Sequence, residues 1–297
     1  MSARVFDDRV CDLGEAPLWH PMRRELFWFD ITGRRMLSRK GEVAREWAFD
    51  EMHSAAGWID EGGLLLASES GLWYFDLKSA ERRLIAPLET EGSMIRTNDG
   101  RADPQGGFWI STMHKGERRG AGAIWRWYRG EMRRLYASLT IPNAICFAPD
   151  ERSACFCDTP TARIMRVALG PDGWPIGAPE CCLDLSAEGL APDGAVIDGE
   201  GALWIALWGA SSVRRYAPHG ELLAAIPLPA PNTSCPALGG EDLGTLFVTS
   251  ATKGLGRQQR AAAPLSGQTF RAPSGVSGQA EHRVRLDTFR HGEDGTP

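Results

Sequence analysis

Six polar residues recur at matching places along this 297-residue chain, and their types are those that hold a cation or move a proton. Glu15, His53, Asn98, Asn143, Asp193 and Ser234 each stand about ten to twelve residues before a short apolar run. Those runs begin at Leu26 (LFWFD), Leu64 (LLLAS), Phe108 (FWIST), Ala154 (ACFCD), Leu203 (LWIAL) and Leu246 (LFVTS). Of the six, Glu15, Asn143 and Asp193 offer only oxygen to a cation. Two carboxylates and an amide carbonyl suit Ca²⁺, Mg²⁺ or Mn²⁺, with Zn²⁺ and Fe²⁺ also within range. One divalent cation held there would polarise a carbonyl oxygen, lower the pKa of a bound water, or both. Asp and Asn also cap strand starts through backbone hydrogen bonds. Convergence of the carboxylates favours the cation, because like charges brought together without one are costly.

The elements that would bring these residues together can be read from the spacing. Successive runs lie 38 to 49 residues apart, the period of a four-stranded propeller blade. The inner strand of each blade begins beside the central channel, so six equivalent positions meet on one axis. Asp, Pro and Gly clusters precede each run (Asp60-Glu-Gly-Gly63, Asp103-Pro-Gln-Gly-Gly107, Asp198-Gly-Glu-Gly201) and favour tight hairpin turns. Period-two segments follow at Gly71–Phe75, Ala123–Trp127, Arg163–Val167 and Ser212–Tyr216, while no stretch of twelve residues keeps a 3.6 period. The expected fold is all-β: a six-bladed β-propeller of four-stranded blades over residues 1–290, with 291–297 as a disordered tail. The first inner strand starts after Gly14, so the preceding residues are expected to complete the last blade and leave no open edge. That blade is expected to run through Phe247, Phe270 and Val284–Leu286. Residues 256–263 read as a loop.

Composition narrows the partners. A net charge of −5 argues against nucleic acid, which needs clustered positive charge. The paired arginines (Arg23-Arg24, Arg118-Arg119, Arg133-Arg134 and others) read as a solvated rim. The charged first residues lack a signal-peptide core, and no run approaches the roughly eighteen apolar residues of a membrane span. Seven scattered cysteines suggest reduced thiols, and the expected location is cytoplasmic. Serine-hydrolase GxSxG and zinc-protease HExxH motifs are absent. His53 and His114 are the histidines expected near the channel.

In order and spacing the chain resembles the sugar-lactonase family of gluconolactonase and regucalcin, bacterial type, over nearly its whole length. The matching pieces are Gly14-Glu-Ala-Pro-Leu-Trp19, Leu26–Ile31, Arg96-Thr-Asn-Asp-Gly100, Thr112-Met113, Pro142-Asn143 with Asp158-Thr159, Pro192-Asp-Gly194 with Ala206–Gly209, and Thr249–Leu255 (TSATKGL). The resemblance implies that Glu15, Asn143 and Asp193 hold one divalent cation, in agreement with the repeat. It also implies that Arg96 and Asn98 grip the substrate, with Glu117 as a further substrate-facing acid. Asp99 adds to the polarity of this mouth and is counted with the substrate-binding residues. Family glycines are replaced by Ala16, Ala144 and Ala210, which matters wherever the backbone needs a positive φ.

The expectation is a metal-dependent hydrolase that opens an aldonolactone to its acid, with Asp193 as candidate general base and equally a candidate pure ligand. The partner would be a small sugar lactone and the protein a monomer or weak homo-oligomer. Two alternatives stay open: a propeller esterase or organophosphatase, for which Trp19, Trp208 and Met113 would supply a greasy mouth, and a non-catalytic calcium-binding propeller.

Overall fold

In a computed structural model of the chain, which describes residues 2–88 and 94–286, each of the six apolar runs forms the second strand of a four-stranded antiparallel sheet. The inner strands are Gly14–His20, His53–Trp58, Ile95–Ala102, Pro142–Phe147, Ala191–Ile197 and Thr233–Gly239. Burial falls from axis to rim. Glu25–Asp30 and Gly63–Ser68 are buried at every residue, whereas the outer strand Val43–Ala48 is mostly exposed. That gradient explains the sequence: second strands are covered on both faces by neighbouring blades and read as unbroken apolar runs. Phe27, Phe29, Leu64, Leu66, Phe108 and Ile110 fill the wedges between the first three blades.

The Asp-rich turns fix the hairpins. Asp103 accepts the N–H groups of Gln105 (3.0 Å) and Gly107 (2.9 Å) on one oxygen, and Arg126 Nε on the other at 2.6 Å. Asp198 repeats the device with Glu200, Ala202, Trp204 and Arg215.

The N-terminal strand Arg4–Asp7 pairs antiparallel with Thr269–Pro273, completing the last blade as expected. Arg9 then staples this seam to the first blade, reaching Asp7 (2.9 Å) and the Ser38 carbonyl (2.9 Å). All six blades thus have four strands among the described residues.

Two expectations are corrected. Arg257–Ala262 is a short α-helix where a loop was expected, with the Gln259 side chain accepting the Gly256 N–H at 2.9 Å. Its residues are good helix formers, but fewer than two turns cannot display a period. Val284–Leu286 is not part of the last blade. Val284 donates its N–H to Trp58 O at 2.9 Å and crosses the opposite end of the channel, where a Cβ on Gly57 would lie 2.5 Å from the valine methyl. The alternating pattern could not distinguish a strand from a strap buried on one side. The expected tail at 291–297 lies outside the described residues. No helix of the described residues is long and apolar enough to cross a membrane.

Candidate active site

Antiparallel blades put the starts of inner strands and the ends of second strands on one face, and both contribute to a cavity of about 190 Å³. Glu15, Asn98, Asn143 and Asp193 line it from the inner strands with Arg96. Met113, Glu117, Thr159, Trp208 and Lys253 come from second-strand ends and the loops after them. The volume is below the roughly 300–1,000 Å³ of typical ligand pockets, which suits one small molecule.

The inner-strand residues share a local cause. The ladders lose register between Glu15 and Leu18, Thr97 and Gly100, Asn143 and Cys146, and Pro192 and Ala195. Such bulges bend a strand and re-aim its side chains. After Glu15 and Asn143 the bulge residue is an alanine with positive φ, Ala16 at 45° and Ala144 at 58°. An L-residue there costs about 1–2 kcal/mol, so these two replacements of a family glycine are strained. Ala210 is not.

A one-way hydrogen-bond chain runs round half the ring. Arg96 Nη1, which can only donate, reaches Asn98 Oδ1 at 2.8 Å. That fixes the Asn98 amide, whose Nδ2 donates to Asn143 Oδ1 at 2.8 Å. Asn143 Nδ2 in turn donates to Thr159 Oγ1 (2.9 Å), which donates to Pro192 O (2.8 Å). Asn143 Oδ1 therefore keeps a lone pair free toward the cavity.

The carboxylates opposite are poorly served. Glu15 accepts the Ala16 N–H at 3.0 Å, and Asp193, 6% exposed, accepts no hydrogen bond among the described residues. Burial pushes Glu15 up to about 8, aided by the charge of Asp99. Burial, then Glu15 and Asp99, push Asp193 well up. No cluster of three His, Cys, Asp or Glu among the described residues could hold a metal. The set here is two carboxylates and an amide oxygen, and its chemistry fits a hard divalent cation, which would satisfy the donorless carboxylate and cancel the repulsion.

These shifts set a pH dependence. A carboxyl whose folded pKa is raised stabilises the fold fully below its unfolded value, and that contribution is lost as pH climbs through the folded value. Cation-free protein should thus melt at progressively lower temperature between about pH 4.5 and about pH 8. A divalent cation should recover more of the loss the higher the pH. Calorimetric melting at pH 5, 6.5 and 8, in chelator and in cation, checks this; equal chelated melting points at 5 and 8 would rule the repulsion out.

Not every ring position reaches the cavity. His53 stacks on Phe49 (centroids 4.0 Å apart), with Nδ1 on Glu51 O at 3.2 Å and Nε2 beside Arg82 at 3.3 Å. It packs within the second blade. Ser234 donates to Gly14 O and pairs with Thr249 Oγ1 at 2.9 Å, tying the last blade to the first. His114 accepts the Gly116 N–H at 3.0 Å and shapes the turn that carries Glu117. Asp99 lies one layer below the cavity, its carboxylate accepting the Ile145 N–H at 2.7 Å. It borders a separate space of about 10 Å³ with Ala16, Arg101 and Glu281, room for a water at most. Of the three apolar mouth residues, Trp208 and Met113 line the cavity, whereas Trp19 stacks on Phe247 at 5.5 Å. Lys253 and Thr159 are cavity residues that the repeat did not single out. A signal existed for Lys253: like Glu117, it is the third residue beyond a second strand.

The model of the SMP-30/Gluconolactonase/LRE-like region matches residues 13–252. The chain belongs to this family. A calcium-binding protein, regucalcin, from Agrobacterium tumefaciens is 36% identical, with a TM-score of 0.93 over 96% of this chain and 98% of that one. The 6-deoxy-6-sulfogluconolactonase of Pseudomonas putida is 33% identical over 91% of this chain and 94% of its own. The L-arabinolactonase of Azospirillum brasilense is 32% identical over 95% of each. Family membership supports a lactonase-like hydrolase acting on a small sugar-lactone-like substrate.

Proposed function

We propose that the chain hydrolyses a sugar lactone to the corresponding aldonic acid, using one divalent cation on Glu15, Asn143 and Asp193. The observation that carries this reading is the pair of buried carboxylates, one without a hydrogen-bond donor, facing the Arg96–Asn98–Asn143 chain across a sugar-sized cavity. When bound, the cation supplies Lewis-acid stabilisation of the negative charge that develops on the lactone carbonyl oxygen. Asp193 accepts the proton of the attacking water, because its oxygens have no competing donor. Arg96 and Asn98 orient the sugar's oxygens, and Glu117 at the rim accepts from a sugar hydroxyl. Trp208 covers an apolar face of the ring. All seven cysteines are unpaired, which supports a reducing compartment such as the cytoplasm.

Chelator-stripped protein, given Ca²⁺, Mg²⁺, Mn²⁺, Zn²⁺ or Fe²⁺ singly, should recover acid release above the spontaneous rate from one or two members of a lactone panel. Tight cation binding with no turnover by any metal would favour a binding protein instead. Trp208 and Met113 also suit an aryl ester, so phenyl acetate belongs in the same assay; faster turnover of it than of every sugar lactone would favour the esterase reading.

A further inference from the structure

Lys253 stands out among the cavity residues because its position is fixed while its ammonium has no direct partner among the described residues. Its backbone is held on both sides: the N–H donates to Asp12 O at 2.8 Å, and the carbonyl accepts Asn232 Nδ2 at 2.9 Å. The half-buried side chain lines the cavity, yet its ammonium has no hydrogen bond or ion pair among the described residues. The other cavity cation, Arg96, is engaged with Thr97 O and Asn98, both at 2.8 Å. Glu117, then Asp12 and Asp193, are close enough to act on Lys253 electrostatically, but none pairs with it directly, and the Asp12 carboxylate is taken by Thr32 (2.6 Å) and Thr252 (3.3 Å), with Arg260 at 3.8 Å. Glu117, across the mouth, makes no hydrogen bond to it.

Charge balance gives this lysine a meaning. Among the described residues the cavity holds three acids, Glu15, Asp193 and Glu117, and two bases, Arg96 and Lys253. A divalent cation on Glu15 and Asp193 cancels those two, leaving Glu117 against Arg96 and Lys253, a surplus of one positive charge. A neutral sugar lactone leaves that surplus uncompensated in a partly desolvated wall. A lactone with one negative group away from its ester would cancel it, through a charge-assisted hydrogen bond.

We propose that Lys253 selects lactones that carry a compact anionic substituent (a second carboxylate, a sulfonate or a phosphate) over neutral lactones. The proposal rests on the lactonase reading and deepens it. The ester cleaved and the residues around it are unchanged; what Lys253 adds is a contact to the far end of the substrate.

The test compares kcat/KM for glucaro-1,4-lactone, 6-phosphoglucono-1,5-lactone and neutral glucono-1,5-lactone in wild type, Lys253→Met and Lys253→Arg. Wild type should favour at least one anionic lactone by about 10-fold or more. Lys253→Met should reduce the anionic-to-neutral ratio by about 10- to 100-fold, the worth of one charged hydrogen bond, mainly through KM. Lys253→Arg should restore part of it. Which anionic lactone responds separates carboxylate from phosphate recognition. An unchanged ratio in a Lys253→Met protein that melts like wild type overturns the proposal and leaves the lactonase reading standing. Turnover of no lactone by cation-loaded wild type overturns the lactonase reading itself. Calorimetric titration with the non-reactive acids then decides for Lys253: a preference for glucarate over gluconate that Lys253→Met abolishes supports the contact, and equal binding of both overturns it.

Discussion

Asp193→Asn should lower kcat/KM for lactone hydrolysis by about 10³-fold or more while raising the melting temperature of the cation-free protein. The two effects have one cause. Asp193 is buried beside Glu15 with no hydrogen-bond donor, and both carboxyls are pushed toward the neutral form. Asparagine keeps the shape and removes the charge. In the proposed mechanism the cation would lose a ligand and the water its proton acceptor, effects that together commonly amount to three orders of magnitude or more. The folded state, however, no longer has to hold two carboxylates together. Each kcal/mol of relief should appear as roughly 2–4 °C for a chain of this size, and more clearly at pH 8 than at pH 5. Steady-state kinetics and chelated melting curves read the two arms separately. Retained activity would remove Asp193 from the mechanism. A lower melting point at pH 8 would mean that its charge is matched by something other than a cation. Stability gained at the cost of function is the signature of a site built under strain.

The second large effect is on the opposite end of the channel. Glu281 lies on the strap that crosses it, 6% exposed, with its carboxylate 2.6 Å from Arg101 Nη1, itself 11% exposed. Trp58 Nε1 holds the Glu281 carbonyl at 2.7 Å, and Arg101 Nη2 reaches Ala195 O at 3.4 Å. Burial disfavours the guanidinium charge, and Glu281, joined by Cys235, Asp99 and Cys146, more than offsets it, so the group is held protonated. Glu281→Ala would leave a buried cation unpaired, a loss of about 3–5 kcal/mol, and should lower the melting temperature by roughly 10 °C. Adding Arg101→Met in the same chain should recover much of that, because the uncompensated charge goes with it. A fall of less than about 2 °C in the single variant would show that the strap carries no such load. Arg101 is two residues from Asp99, whose carboxylate anchors Ile145 next to Ala144 and Asn143. The strap thus bears on the floor of the site as well as on stability.

The repeat carried the fold. Inner strands, Asp turns and doubly buried second strands are each dictated by local chemistry, and six copies at one spacing leave little freedom in how they assemble. Closure by Arg4–Asp7 was legible for the same reason: an unpaired segment at one end and an incomplete blade at the other imply each other. The short helix 257–262 and the strap around Glu281 were not legible, since neither repeats and neither is long enough to show a period.

The site divides along a similar line. Sequence placed Glu15, Asn98, Asn143 and Asp193 at equivalent positions, and those four reach one cavity. It placed His53 and Ser234 there with equal force, and they do not, because a strand position fixes where a Cα lies and not where a side chain can be satisfied. His53 gains more by stacking on Phe49, and Ser234 by bonding the neighbouring blade. Asp99 shares a strand with Asn98 but points to the other side of the bulge, a consequence of two-residue periodicity that only the local register settles. Lys253 joins the cavity from a loop, where one residue more or less would carry it to solvent. The sequence by itself determined the propeller, its closure and the axis on which chemistry converges, because repetition makes those properties of the average blade. Tertiary structure alone decided which side chains face the channel and which charge among them is left over, because those depend on the contacts each residue finds in its own blade.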